Sequence, residues 1–166
     1  MPARIVFLLI FLACSGLLAF GLYLQHMVGL EPCPLCIFQR YAFVLTGLIA
    51  LVAFIHGPGR TAQAVYGALT LLVAGGGAAI AGRQTWLQHN PPNIFECGPD
   101  LGYILDAFPL TKAVPMIFKG EGDCAEAGWT FAGLSIAEWA LAWFAAFLIA
   151  GLYVVLVRPR RSVFRV

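Results

Sequence analysis

Four apolar stretches constrain this chain more than any other feature of its sequence. They cover residues 5–24, 37–55, 62–82 and 136–157. Each holds about 20 residues, which at about 1.5 Å per residue is enough to span a hydrocarbon core about 30 Å thick. Because lipid cannot hydrogen-bond the backbone, each stretch must satisfy its own peptide groups and is expected to be a helix. The sequence therefore predicts an all-α membrane protein.

The composition also indicates a membrane environment. Hydrophobic residues make up 61% of the chain and charged residues 11%, whereas a soluble domain carries about 25% charged residues. The net charge is only +2, and the sequence has no basic stripe with interleaved aromatic residues. A nucleic-acid partner is therefore not expected. We expect residues 1–166 to form a single integral membrane domain in contact with lipid.

The first apolar stretch has two alternative interpretations. A signal peptide is one, because Arg4 precedes the stretch. The apolar run is longer than the 7–15 residues of a typical signal peptide, and no A-x-A-like cleavage site follows it. Residues 11–14, FLAC, suggest only loosely a lipoprotein cleavage site. We expect a membrane span in which Cys14 is a small apolar residue.

The basic residues predict how the chain is oriented. Six arginines fall on one side of a four-span arrangement: Arg4, Arg60, Arg158, Arg160, Arg161 and Arg165. The long loop on the other side has Lys112 and Lys119, and all the acidic residues lie on that side or at its interface. Because Lys and Arg accumulate on the cytoplasmic side, we expect both termini to be cytoplasmic. Residues 25–36 and 83–135 then face the outside.

The connections predict the helix arrangement. The segment His56–Arg60, HGPGR, is a tight turn between the second and third spans. Short connections favour antiparallel neighbours, so the expected architecture is a four-helix bundle. Gly75, Gly76 and Gly77 lie in the third span, where small residues let helices approach closely.

The long outer loop contains one helical pattern. Four apolar residues recur at helical spacing, namely Leu101, Ile104, Leu105 and Phe108. Asp100 is suited to cap such a helix and Pro109 to end it. A short amphipathic helix lying on the membrane surface fits this pattern. A helix packed on the loop's own small core fits it equally.

Cys33 and Cys36 form a C-x-x-C motif where the second span begins. A helix N-terminus carries partial positive charge and favours a thiolate, which is the nucleophile in disulfide exchange. A bridge across so short a loop adds little stability. The motif therefore indicates redox chemistry more strongly than a structural disulfide.

Arg40 follows Cys36 by four residues and shares its helix face. A charge near the membrane boundary is costly and often functional. Its cation is suited to stabilise a Cys36 thiolate, and an arginine extending to the headgroups is the alternative.

Cys97 and Cys124 lie in the outer loop, where disulfides persist. Alone they would indicate a structural disulfide, but beside a C-x-x-C they suggest a relay of disulfide exchange. Zinc is the remaining alternative for four cysteines. Structural zinc sites usually offer two close pairs, and only one pair is close here, so no metal is expected.

These residues resemble a known family. Residues 25–40, QHMVGLEPCPLCIFQR, look like the signature of the DsbB disulfide bond formation proteins of bacterial inner membranes. Further matches are Arg83–Gln88, Cys97–Pro99, Gly122–Ala125, Trp129 and Phe131–Ser135. The resemblance runs from the first span to the fourth.

The resemblance implies a thiol:quinone oxidoreductase in the inner membrane, with its four loop cysteines in the periplasm. Its partner would be a soluble DsbA-like thiol oxidase, which Cys97 would bind in a mixed disulfide that Cys124 resolves. Cys33 and Cys36 would then reoxidise the loop pair. Ubiquinone or menaquinone would take the electrons from Cys36 beside Arg40, with Gln25 and His89 as further candidates for the quinone site.

Three other functions fit parts of the sequence. A vitamin K epoxide reductase type of enzyme also combines a C-x-x-C with loop cysteines, but there the motif usually comes late in the chain. A scaffold with two structural disulfides is a non-enzymatic alternative, which resistance to reduction would identify. A conduit that exports reductant would need cysteines on the cytoplasmic side, where none of the four is expected.

Overall fold

The computed structural model describes residues 3–30, 32–91, 124 and 129–156. Four long helices occupy most of this described part: α1 is Ala3–Met27, α2 is Pro34–His56, α3 is Arg60–His89 and α4 is Ile136–Leu156. Each contains one of the four apolar stretches, the last as far as Leu156. All four are long and apolar enough to cross a membrane, so the predicted four-helix membrane bundle is confirmed. The amphipathic helix predicted around residues 101–108 lies outside the described residues.

The outer surface of the bundle is apolar, as a lipid environment requires. Large hydrophobic side chains are well exposed on several helices, including Leu72 on α3 and both Ile149 and Leu156 on α4. A soluble protein would expose few such side chains in a continuous surface. This apolar surface is suited to contact lipid chains.

Small residues bring the helices together at the centre of the bundle. Cys14 on α1 is buried and packs against Gly47 of α2, where an added Cβ would lie 3.2 Å from the Cys14 Cβ. A Cβ at Gly77 of α3 would overlap the ring of Phe144 on α4. That ring is fully buried and stacks on Phe43 of α2 with centroids 4.2 Å apart. The absence of a side chain at Gly47 therefore lets α2 approach α1 closely, and the absence of one at Gly77 lets α3 approach α4 closely.

At one end of the bundle, side-chain hydrogen bonds to backbone carbonyls join neighbouring helices. Arg4 Nε on α1 donates to the Phe54 carbonyl of α2 at 3.0 Å. Gln63 Nε2 on α3 donates to the Val154 carbonyl of α4 at 2.8 Å. Gly57 ends α2 in the left-handed region, with φ 55°, and its N–H caps the Ala53 carbonyl. The predicted tight turn thus joins α2 and α3 directly.

The other end carries a small hairpin that leads into α4. Strand β1, Thr130–Phe131, pairs antiparallel with β2, Leu134–Ser135. The two residues between them, Ala132 and Gly133, have φ 54° and 81°. Two positive φ values are characteristic of the tight hairpin turn that matches strand twist. Trp139 Nε1 of α4 donates to the Phe131 carbonyl at 3.1 Å, which holds the hairpin against the helix.

A capping box fixes where α4 begins. The Ser135 hydroxyl accepts the Glu138 backbone N–H at 3.3 Å, and Glu138 Oε2 accepts the Ser135 backbone N–H at 2.7 Å. The pair satisfies two donors that a helix N-terminus otherwise leaves without partners. Ser135 also donates to Gln88 Oε1 of α3 at 2.7 Å. The start of α4 is therefore fastened to the end of α3, at the same end of the bundle as the C-x-x-C motif.

Candidate active site

The C-x-x-C motif forms the N-terminus of α2. Cys33 is the N-cap residue, with extended backbone angles, and Pro34 occupies the first helical turn. Proline suits this position because it has no N–H to satisfy. Cys33 Sγ accepts the Cys36 backbone N–H at 3.4 Å, and the two sulfur atoms lie 3.1 Å apart as free thiols. The helix N-terminus thus presents both sulfurs together, where its partial positive charge favours a thiolate.

Cys124 adds a third sulfur to this group. It is 2% exposed and lies in a small apolar cluster with Leu35 of α2 and Leu87 of α3, against which Cys33 packs. The Cys124 thiol is hydrogen-bonded with the Cys33 thiol. Hydrogen bonds with Cys124 and Cys36, together with burial, raise the pKa of the Cys33 thiol. Cys33 is therefore the sulfur that contacts both of the other two. Because its pKa is raised, a negative charge is less stable on Cys33 than on Cys36 or Cys124.

Two glutamines also lie beside the sulfurs, and sequence reasoning did not select either of them. Gln84 on α3 and Gln39 on α2 are each 3% exposed. Gln84 Nε2 donates to Cys36 Sγ at 3.1 Å and to Cys33 Sγ at 3.4 Å. Gln39 Nε2 donates to Gln84 Oε1 at 2.6 Å. The sequence signal that could have found them is a carboxamide within or next to an apolar helical stretch, where a polar group is costly.

Arg40 lies one turn beyond Cys36 on α2, and its guanidinium contacts α1. It donates from one terminal nitrogen to Gln25 Oε1 and from the other to the Gly21 carbonyl at 3.2 Å. An added Cβ at Gly21 would lie 3.8 Å from the guanidinium, which is ordinary contact distance, so the guanidinium packs directly against this part of α1. The structure therefore brings together Arg40 and Gln25, two of the residues predicted for the quinone site.

The two remaining predicted site residues are placed differently. The His89 ring lies at the end of α3, where Nδ1 is 2.9 Å from the Thr85 carbonyl and Nε2 is 3.7 Å from Glu138 Oε1. Its side chain is 65% exposed, so it lies on the outside of the bundle, at the end that carries the C-x-x-C motif. Cys97 lies outside the described residues, so its pairing with Cys124 stays a prediction. Within the described residues, no group of three or more His, Cys, Asp or Glu side chains is arranged to hold a metal ion.

Comparison with known proteins gives consistent matches along almost the whole chain. The sequence profile described as Disulfide bond formation protein DsbB matches residues 3–154. Disulfide bond formation protein B of Azoarcus sp. strain BH72 is 56% identical over 158 residues, which is 95% of each chain. The protein of the same name from Aromatoleum aromaticum is 59% identical over 138 residues, or 83% of each chain. That of Marinobacter nauticus is 46% identical over 159 residues, again 95% of each chain.

Proposed function

The chain belongs to the DsbB family and acts in disulfide bond formation, and from this membership we propose that it is a protein-dithiol:quinone oxidoreductase. In this proposal it reoxidises a DsbA-like thiol oxidase in the periplasm and passes the electrons to ubiquinone or menaquinone in the inner membrane. Family membership favours this activity over the vitamin K epoxide reductase type of enzyme and over a scaffold held by structural disulfides.

One observation carries the proposal: Cys33 contacts both Cys36 and Cys124. A sulfur in contact with two others can exchange one disulfide bond for another with little movement, because exchange requires a thiolate to approach the sulfur that it attacks. The C-x-x-C pair and the outer-loop cysteine are therefore suited to pass oxidising equivalents between them.

The proposed exchange begins at Cys97. A thiolate of the reduced partner attacks the Cys97 sulfur, the Cys97–Cys124 bond breaks, and its electron pair leaves on Cys124. Cys124 then attacks Cys33, so that the Cys33–Cys124 bond forms while the Cys33–Cys36 bond breaks and Cys36 becomes a thiolate. The partner's second thiol displaces Cys97 from the mixed disulfide, and the partner leaves oxidised. Cys97 then attacks Cys124, which restores the loop pair and frees Cys33.

Two cysteine thiols, Cys33 and Cys36, remain to be oxidised after this exchange. A quinone, when bound, would supply the acceptor for their two electrons and two protons. Arg40 and Gln25 fit such a group, since a guanidinium has five N–H donors, more than its contacts with Gln25 and Gly21 use. We assign to Arg40 the role of orienting a quinone oxygen near Cys36. Gln25 would hold Arg40 in position. His89, which is exposed, would make a peripheral contact at the end of the bundle that carries the C-x-x-C motif.

The proposal is tested by turnover of the purified protein in lipid. Oxidation of a reduced DsbA-like protein is followed by thiol titration while quinone loss is followed by absorbance. We expect one quinone to be consumed per partner disulfide, and Ser at Cys33, Cys36, Cys97 or Cys124 to abolish turnover. Cys14→Ser is the matched control, because Cys14 is buried between α1 and α2, and should retain turnover. Full activity without quinone, or in Cys36→Ser, would contradict the proposal.

A further inference from the structure

The carboxamide of Gln84 lies between the C-x-x-C sulfurs and a second buried carboxamide. Its Nε2 is 3.1 Å from Cys36 Sγ and 3.4 Å from Cys33 Sγ, and its Oε1 accepts from Gln39 Nε2 at 2.6 Å. Gln39 is three residues after Cys36 and so lies on the same face of α2. Neither glutamine has an assigned role in the exchange described above.

The contact with Gln39 sets the direction in which Gln84 points. A carboxamide has an acceptor end and a donor end, and a buried end without a partner is costly. Because Gln39 donates to the oxygen, the NH₂ group of Gln84 is turned toward the sulfurs. Cys36 Sγ lies 3.6 Å from Gln84 Oε1 and 3.1 Å from Nε2, so the donor end is the closer one.

The chemical consequence depends on which sulfur carries charge. An N–H bond to a thiolate is charge-assisted and about twice as strong as one between neutral groups. The interaction therefore strengthens when Cys36 changes from a disulfide sulfur to a thiolate. Since Gln84 Nε2 lies closer to Cys36 than to Cys33, it favours the negative charge on Cys36.

We propose that Gln84 is a catalytic residue that stabilises the Cys36 thiolate released in the exchange, and that Gln39 is the positioning residue that orients it. In that step Cys124 attacks Cys33, the Cys33–Cys124 bond forms, the Cys33–Cys36 bond breaks, and the electron pair leaves on Cys36. No net oxidation occurs in the step. The inference deepens the proposed function, because it concerns the leaving sulfur of the same exchange.

The test measures thiolate formation at Cys36 directly. The reduced full-length protein in lipid is alkylated with iodoacetamide across the pH range in which thiols titrate, and peptide fragmentation locates the label at Cys36. We expect Gln84→Met, which keeps the volume but removes the donor, to raise the pH of half-maximal labelling by about one unit. Gln84→Glu should raise it further, because a carboxylate would repel the thiolate.

A matched control is available one turn along α3. Gln88 accepts from the Ser135 hydroxyl at 2.7 Å and has no part in the sulfur group, so Gln88→Met should leave the labelling profile of Cys36 unchanged. An unchanged profile in Gln84→Met, or an equal shift in Gln88→Met, would overturn the proposal.

Coupling between the two glutamines tests the positioning role. Gln39→Met should shift the Cys36 profile in the same direction but less, because the Gln84 amide can then rotate. The double variant Gln39→Met/Gln84→Met should shift it no further than Gln84→Met alone, since Gln39 acts through Gln84. Additive shifts would show that Gln39 acts independently and would overturn this part. The measurement uses neither partner nor quinone, so it can fail while turnover supports the proposed function, and the reverse also holds.

Discussion

Cys124 is hydrogen-bonded with Cys33, the first cysteine of the C-x-x-C motif and the N-cap of α2. The contact joins a residue of the long loop between α3 and α4 to the start of a membrane-spanning helix. It defines an order among the sulfurs, in which Cys33 stands between Cys124 and Cys36. That order gives the proposed relay a direction from the outer loop toward the helix that carries Arg40.

Replacement of Cys124 should trap the partner. If Cys97 is the sulfur that contacts the partner, Cys124→Ser leaves Cys97 as a free thiol and removes the loop thiol that could displace a bound partner, so an adduct formed at Cys97 persists. We expect the reduced variant to form a covalent adduct with a DsbA-like protein whose second active cysteine has been replaced and whose first carries a small aromatic thiol in a disulfide. The Cys97 thiolate attacks the partner's sulfur and the small thiol leaves, so the adduct is seen on a non-reducing gel and located at Cys97 by peptide mass. An adduct through Cys33 would reverse the roles that we assign.

Arg40 should affect the quinone step more than the thiol exchange. Lysine keeps the charge but loses the planar group that makes paired hydrogen bonds, so Arg40→Lys should raise the KM for a soluble quinone analogue severalfold. Arg40→Ala should raise it more. His89→Ala should raise it less than Arg40→Lys, because the His89 ring contacts Thr85 and Glu138. Steady-state turnover at varied quinone concentration measures all three effects.

Arg60 provides the control for this series. It begins α3 at the opposite end of the bundle from the C-x-x-C motif, so Arg60→Lys should leave the KM for quinone unchanged. Single-turnover exchange without quinone separates the two steps for each Arg40 variant. Normal quinone kinetics in both Arg40 variants would identify Arg40 as an anchor to the headgroups and remove it from the site.

Gly77 and Gly76 should differ sharply in their tolerance of alanine. A Cβ at Gly77 would overlap the buried Phe144 ring, whereas a Cβ at Gly76 meets no atom within 4 Å. Overpacking of this kind costs about 1–3 kcal/mol, so Gly77→Ala should lower the free energy of unfolding by that amount. Gly76→Ala should be neutral or slightly stabilising, because alanine favours a helix. Unfolding by SDS titration in mixed micelles measures both, and equal effects would contradict the α3–α4 packing described here.

The predicted orientation can be tested independently of activity. Reporter fusions placed after Arg60 and after Arg165 should both report the cytoplasm, because the arginines concentrate on that side. A periplasmic signal at either position would contradict the orientation and would place the cysteines on the wrong side for the proposed partner.

The sequence predicted the four helices because lipid leaves so few alternatives. A stretch of about 20 apolar residues in hydrocarbon must form a helix, and each stretch lies within an observed helix, with 136–157 followed as far as Leu156. The C-x-x-C motif directly precedes the second apolar stretch, so its place at a helix N-terminus was predicted from the start of that stretch. The Ser135–Glu138 capping box was also readable as S-x-x-E ahead of an apolar run.

The arrangement around the sulfurs was much harder to predict. A helix that is apolar on all sides does not show which face meets its neighbour, so the sequence could not bring Gln84 of α3 to Cys36 of α2. Contact between Cys33 and Cys124 depends on the path of a long loop, and its one periodic pattern, at residues 101–108, does not fix where Cys124 lies. The hairpin turn at Ala132 and Gly133 was missed because its first residue is not one of those that favour positive φ.

Mapping disulfides during the reaction shows whether Cys33 passes the disulfide between Cys124 and Cys36. The oxidised full-length protein, without quinone, is mixed with reduced partner, quenched with acid and digested. We expect a Cys33–Cys124 disulfide that appears together with the partner–Cys97 adduct, while Cys36 is a free thiol. A Cys36–Cys124 disulfide, or a partner linked to Cys33 or Cys36, would contradict this expectation.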